Sequence, residues 1–184
     1  MKAVLDACVI YPTVMRQMLL GVADRGVFAP LWSARILEEW RRAAMKLGPE
    51  AVVQAEIEAS RMTAQWPEAS VTLPDALSAR LWLPDANDVH VLAAAVAGSA
   101  DLIVTMNARD FPRHILAEEG VSRADPDTFL LGVFDARPEL VQDAAQQVLN
   151  DARTLSGQDW TMRALMKKAR LPRLGKALER RAAV

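Results

Sequence analysis

Two kinds of apolar pattern share this chain: short continuous runs, and longer stretches in which apolar residues recur three and four apart. Residues 3–5 form an apolar run that stops at Asp6 and reads as a first buried strand. Residues 28–32 are a connector or a second short strand. Residues 71–73 make a third candidate, limited in length by Pro74. Residues 102–105 are a short buried strand, with Asn107 and Asp110 just beyond its carboxyl end. The remaining segments are helical in period. Pro12 can start a helix that carries Val14, Met18, Leu19 and Val22 and ends at Arg25-Gly26. Ser33 is placed to cap a helix with Ile36, Leu37 and Trp40 on one side. Gly48-Pro49 breaks the chain before a helix over 50–66, which Pro67 closes. Asp88 opens an apolar helix over 89–96, stopped by Gly98-Ser99. A short helix over 113–118 follows, with Gly120 as its C-terminal glycine. From Asp125 onward the pattern is wholly helical: 127–134, an amphipathic stripe of Leu140, Val141, Ala144, Ala145, Val148 and Leu149, then 161–169 and 174–181 separated at Pro172.

Helices alternating with short apolar strands predict an α/β fold whose parallel sheet is covered on both faces. Such sheets bind ligands beyond the carboxyl ends of their strands. Asp6 and the Asn107/Asp110 pair both stand just past a predicted strand. If the helix over 89–96 packs antiparallel to the strand over 102–105, Asp88 is brought close to Asn107 and Asp110.

Composition narrows the class. A chain of 184 residues suits one domain with a small appendage, and 52% apolar residues exclude disorder. No apolar run is long enough to span a bilayer. The first six residues lack the apolar region of a signal peptide, and a single cysteine, Cys8, rules out an intramolecular disulfide. A cytoplasmic protein is expected. The net charge of −1 is unevenly spread. Residues 161–184 hold eight Lys or Arg and one Glu, a charge of +7, which leaves −8 on the rest. A basic tail beside an acidic body suits nucleic acid or an acidic partner. Other chemistries find no support. No zinc-ligand spacing or phosphate-cradling glycine loop is present, and Cys8 has no evident histidine partner. His90 points about 200° away from Asp88 on a helix and reads as packing or partly exposed; His114 stands alone.

Singly, each acid has an ordinary explanation. Asp6 can be a turn former after a strand, Asp88 an N-cap, Asp110 a turn cap, and Glu38 and Glu39 solvated helix residues. Together their order resembles a known family. The segments Val4-Leu-Asp-Ala-Cys-Val-Ile-Tyr-Pro12, Trp32-Ser-Ala-Arg-Ile-Leu-Glu-Glu-Trp40, Asp88-Val-His-Val-Leu-Ala-Ala-Ala95 and Ile103-Val-Thr-Met-Asn-Ala-Arg-Asp-Phe-Pro112 look like those of PIN-domain nucleases, especially VapC-type toxins of bacterial toxin–antitoxin pairs. The resemblance covers roughly residues 1–130.

The resemblance implies a PIN-like three-layer α/β/α domain over 1–130, followed by a helical C-terminal extension over 131–184. It places Asp6, Glu39, Asp88 and Asp110 on the acidic catalytic positions. Asp6, Asp88 and Asp110 are the expected ligands of Mg²⁺ or Mn²⁺, which oxygen-only donors favour. Glu39 is preferred to Glu38 because the acid usually precedes an apolar residue, here Trp40. Asn107 stands where some members have Asp and is kept, with Thr105 and Asp85, as a secondary site residue. The expected reaction is hydrolysis of RNA phosphodiester bonds leaving a 5′-phosphate and a 3′-hydroxyl, with a VapB-like antitoxin as cognate partner and a homodimer as assembly. A PIN nuclease for RNA processing or DNA, and a catalytically silent PIN-like binding module, remain alternatives. In the basic tail, Lys167, Lys168, Arg170 and Arg173 are candidates for holding RNA phosphates; the competing reading is a solvated helical cap. Trp32, Trp40, Trp66 and Trp82 are expected in the core or an interface.

Overall fold

The computed structural model describes residues 1–182; the last two residues of the expected extension and basic tail, Ala183 and Val184, lie outside the described residues. In chain order the elements are β1 (Lys2–Leu5), α1 (Ala7–Ile10), α2 (Thr13–Asp24), β2 (Ala29–Ser33), α3 (Ala34–Met45), α4 (Pro49–Gln65) and β3 (Ser70–Val71). Then come α5 (Asp75–Arg80), α6 (Val89–Ala97), β4 (Leu102–Val104), α7 (Arg113–Glu118), β5 (Ser122–Ala124), α8 (Pro126–Ala136), α9 (Pro138–Ser156), α10 (Met162–Lys168) and α11 (Pro172–Ala182). Two compact units result. The first joins Met1–Tyr11 to Phe28–Ala124; the second joins Pro12–Val27 to the chain from Asp125 onward.

The first unit is the predicted α/β layer structure. Its five strands are all parallel, in the order β3-β2-β1-β4-β5. The chain starts in the middle, builds outward through β2 and β3, then returns to the other side for β4 and β5. The order therefore reverses between β1 and β4, where open parallel sheets place their ligands. Those two central strands are also the most apolar, because helices cover them: Ala3, Val4, Leu5, Ile103 and Val104 are fully buried. Their register pairs Leu5 with Val104, so Asp6 and Thr105 leave the sheet side by side.

Helix α6 is buried on nearly every side, from His90 to Ala95, which accounts for its unbroken apolar sequence. It ends at Gly98, whose φ of −81° any residue can adopt. Glycine is needed there for space. A Cβ would meet Leu31 Cδ1 at 2.7 Å and Val71 Cγ2 at 3.1 Å. The left-handed step is taken by the next residue, Ser99, at φ 51°. On α3, Ser33 caps as expected, accepting the Ile36 N–H at 3.3 Å. Trp32 and Trp40 are buried, and Trp32 meets Trp66 edge to face at 6.3 Å, but Trp82 is 65% exposed.

Three elements lay outside the sequence expectations: α1, α5 and β5. α5 buries none of its side chains, and β5 is a polar Ser-Arg-Ala strand at the sheet edge, so neither shows a hydrophobic period. α5 is tethered by Arg80, which donates to both Glu119 carboxylate oxygens at 2.6 and 2.8 Å.

The second unit is all helical. α2 packs on α9, where Gly21 lets the backbones approach: a Cβ on Gly21 would touch the Ala144 Cβ at 3.4 Å. The α9 stripe is buried at Val141, Ala144, Ala145, Val148 and Leu149. Asp125 caps α8 by accepting the Thr128 N–H at 2.9 Å, and Thr161 caps α10 through the Ala164 N–H at 3.2 Å. The start of α11 is capped from far away in sequence. The buried Asp127 carboxylate accepts the N–H groups of Arg173 and Leu174 at 3.0 and 2.9 Å, satisfying donors that helix geometry leaves orphaned. No helix among the described residues is long and apolar enough to cross a membrane.

Candidate active site

At the carboxyl end of β1, Asp6 is buried, with its N–H donated to the Val104 carbonyl at 3.2 Å. Two side chains converge on its Oδ2: the Thr105 hydroxyl at 2.6 Å and the Cys8 thiol at 3.1 Å. Thr105 Oγ1 in turn accepts the Asn107 N–H at 2.9 Å, and Cys8 Sγ accepts the Met106 N–H at 3.2 Å. Burial, and next the charge of Asp6, push the Cys8 thiol up to about 12. Cys8 is thus a protonated donor that helps fix Asp6, and it is not poised as a nucleophile.

Across the order reversal, Asp88 stands at the amino end of α6. The position is that of an N-cap, yet its side chain makes no capping hydrogen bond. Its Oδ2 accepts from Asn107 Nδ2 at 3.3 Å, and the same amide donates to Asp110 Oδ2 in a short contact. Asn107 therefore bridges the two acids. One carboxylate oxygen each from Asp85, Asp88 and Asp110 lie within 4.8 Å of one another, and all three residues are half-buried. Asp85 has a local task as well, accepting the Asn87 N–H at 2.9 Å in the turn before α6. Asp6 is not part of that tight group of three, but its charge reaches Asp88.

The electrostatics follow from this crowding. Burial first, then the charges of Asp6, Asp110, Asp85 and Glu39, raise the Asp88 carboxyl from 3.8 to about 6. Glu39 enters this field from α3. Its Oε1 lies 2.7 Å from His90 Nε2 and 3.7 Å from Arg35 Nε. Glu38, one residue earlier, is engaged elsewhere, with Arg41 at 3.6 Å and Arg42 at 3.1 Å. The contact of His90 with Glu39 was not read from the sequence. On a helical wheel His90 points away from Asp88, and only the tertiary fold brings Glu39 of α3 to its ring.

The basic candidates lie in the second unit. Lys167, Lys168, Arg170 and Arg173 are all exposed. Lys168 stacks its ammonium over Trp160 at 4.7 Å from the ring centre, and Arg173 donates to Thr128 Oγ1 at 3.0 Å. Arg170 takes the left-handed step between α10 and α11, at φ 60°. Leu165, Met166, Leu171, Leu174 and Leu178 are buried, so these helices dock by their apolar residues.

Comparison with known proteins agrees with the geometry. A PIN domain family profile matches residues 2–109, which contain β1 to β4 and Asp6, Glu39, Asp85, Asp88 and Asn107. Asp110 lies one residue past that match. A Mycobacterium tuberculosis protein provisionally named ribonuclease VapC50 is 40% identical over 62 residues, covering 34% of this chain and 34% of that relative. The matched segment thus spans about a third of the relative's length. No solved structure gives a significant match. With the profile covering more than half of its length and the parallel sheet in place, this chain belongs to the PIN domain family.

Proposed function

We propose that this chain is a metal-dependent endoribonuclease of the VapC toxin type. The observation that carries the reading is the gathering of Asp85, Asp88 and Asp110, one carboxylate oxygen of each within 4.8 Å of the others, at the order reversal of a parallel sheet, where burial and then the charges of neighbouring acids raise Asp88 to about 6. A cluster that resists its own ionisation suits a bound cation, and oxygen donors alone favour Mg²⁺ or Mn²⁺. The residues fit such an ion. Asp6, Asp88 and Asp110 are the proposed ligands, with Asp85 joining from the rim. A divalent ion there would lower the pKa of bound water and offset charge developing on a phosphodiester. The chain's own groups do the positioning. Thr105 and Cys8 hold the Asp6 carboxylate, Asn107 ties Asp88 to Asp110, and Glu39 adds a further acid that can orient or take a proton from water. Hydrolysis would leave a 5′-phosphate and a 3′-hydroxyl.

RNA as substrate, a VapB-like antitoxin as partner and a homodimer as assembly are parts of the same reading, supported by the VapC resemblance and the name of the mycobacterial relative. The direct test is cleavage of RNA and of DNA by the purified chain with Mg²⁺, Mn²⁺ or EDTA. Cleavage of RNA that EDTA stops, and that Asp88→Asn lowers by at least a hundredfold with the fold intact, is expected. Full activity in Asp88→Asn, or in EDTA, contradicts it. A monomer mass by light scattering at micromolar concentration would remove the dimer.

A further inference from the structure

We propose that His90 is a positioning residue for Glu39: it donates a ring N–H to the carboxylate and so fixes how Glu39 faces Asp88. The inference rests on the nuclease reading above, and adds to it a residue that the acidic pattern does not contain.

Three observations meet at this pair. First, His90 is only 2% exposed, and neither ring nitrogen has a hydrogen-bond partner among the described residues. A buried polar group left in that state destabilises the fold relative to an apolar side chain of similar size, so an imidazole with no task here is a poorer fit than Leu. Second, Nε2 lies 2.7 Å from Glu39 Oε1, well within hydrogen-bond distance, although the ring N–H direction misses the oxygen. A turn of the ring or of the carboxylate closes the bond. Third, Glu39 is a long side chain, about a third exposed, which without a fixed partner spreads over several rotamers. Its charged neighbour on α3, Arg35, sits one helical turn back, is 53% exposed and approaches the same oxygen only to 3.7 Å. His90 is the rigid, buried member of the set. The chain therefore uses one turn of α6 twice: Asp88 at its start joins the acid cluster, and His90 steadies the acid that arrives from α3. Outer partners of this kind commonly change metal affinity or activity 10–100-fold when removed.

The decisive comparison is between two amides. In His90→Gln the side-chain nitrogen takes the place of Nε2 and reaches Glu39. In His90→Asn a donor is kept but falls short. The readouts are kcat and KM for RNA cleavage, and Mn²⁺ binding followed by electron paramagnetic resonance. We expect His90→Gln within threefold of wild type. We expect His90→Asn and His90→Leu to lose at least tenfold in kcat, with KM within twofold and a weakened Mn²⁺ midpoint, while the thermal midpoint of His90→Leu stays at or above that of wild type. In a Glu39→Gln background the same His90 changes should cost less than twofold. Equal behaviour of Gln and Asn, or an undiminished loss in the Glu39→Gln background, overturns the proposal, since either means that His90 acts on packing alone. Should His90→Leu fail to fold, the amide pair still decides. A wild type that neither cleaves RNA nor binds Mn²⁺ overturns the nuclease reading, and this inference with it.

Discussion

Asp88 shows how much one residue's surroundings can reveal. Its sequence position, just before an apolar helix, is equally that of a capping residue. The structure separates the two uses, because the carboxylate caps nothing and instead shares an amide with Asp110. Its raised pKa gives a pH prediction for the metal-free protein. The folded value, about 6, lies above the ordinary 3.8 of an aspartate, so between these pH values the folded state binds more protons than the unfolded one. Ionising Asp88 therefore destabilises the fold, and this contribution to stability falls as pH rises from about 4 to about 6. Thermal melts of the metal-free chain should lose stability across that window, and Asp88→Asn should flatten the loss. A slope that Asp88→Asn leaves unchanged would place its origin elsewhere. Asp6, Asp88, Asn107 and Asp110 were legible in the sequence because each follows a strand or precedes a helix at fixed spacing. The link between His90 and Glu39 was not, because two residues 51 positions apart on different helices share no local pattern.

Elements were legible in proportion to their burial. β1, β4 and α6 carry continuous apolar runs, and α9 a clean stripe, because each faces other parts of its unit. α5 and β5 have no such signature, since one buries nothing and the other closes the sheet with polar residues. Capping gives a similar contrast. Ser33 and Asp125 cap the helices that follow them and follow local rules. The cap of α11 comes from Asp127, 46 residues upstream of Arg173, and nothing near Pro172 announces it. Removing it tests the account of the second unit. Asp127→Ala leaves two backbone N–H groups at the α11 start without their acceptor, and should cost roughly 2 kcal/mol, about 4–8 °C in Tm for a chain of this size. An unchanged melting temperature would mean that water or a neighbour serves those groups equally well.

At the scale of the molecule, the chain separates its charges by unit. The acids that form the candidate site belong to the α/β unit, and the basic tail to the helical one. Whether the tail holds RNA can be read from salt dependence, because each phosphate contact releases counterions. Replacing Lys167, Lys168, Arg170 and Arg173 by Gln in the inactive Asp88→Asn chain should make the salt dependence of RNA binding shallower. An unchanged slope and affinity would assign those charges to solvation or to an acidic protein partner. The grouping of α2 with α8 to α11 was beyond sequence reading, since periodicity shows that a face is apolar but not which surface covers it. The central claim is that the acids gathered at the order reversal hold a divalent ion, and Mn²⁺ can be located directly. Anomalous diffraction from crystals of the chain grown with Mn²⁺ should show a peak ligated by carboxylate oxygens of Asp88 and Asp110, with Asp6 as the third acid. A site that stays empty at millimolar Mn²⁺, or an ion bound only away from these residues, would contradict the account.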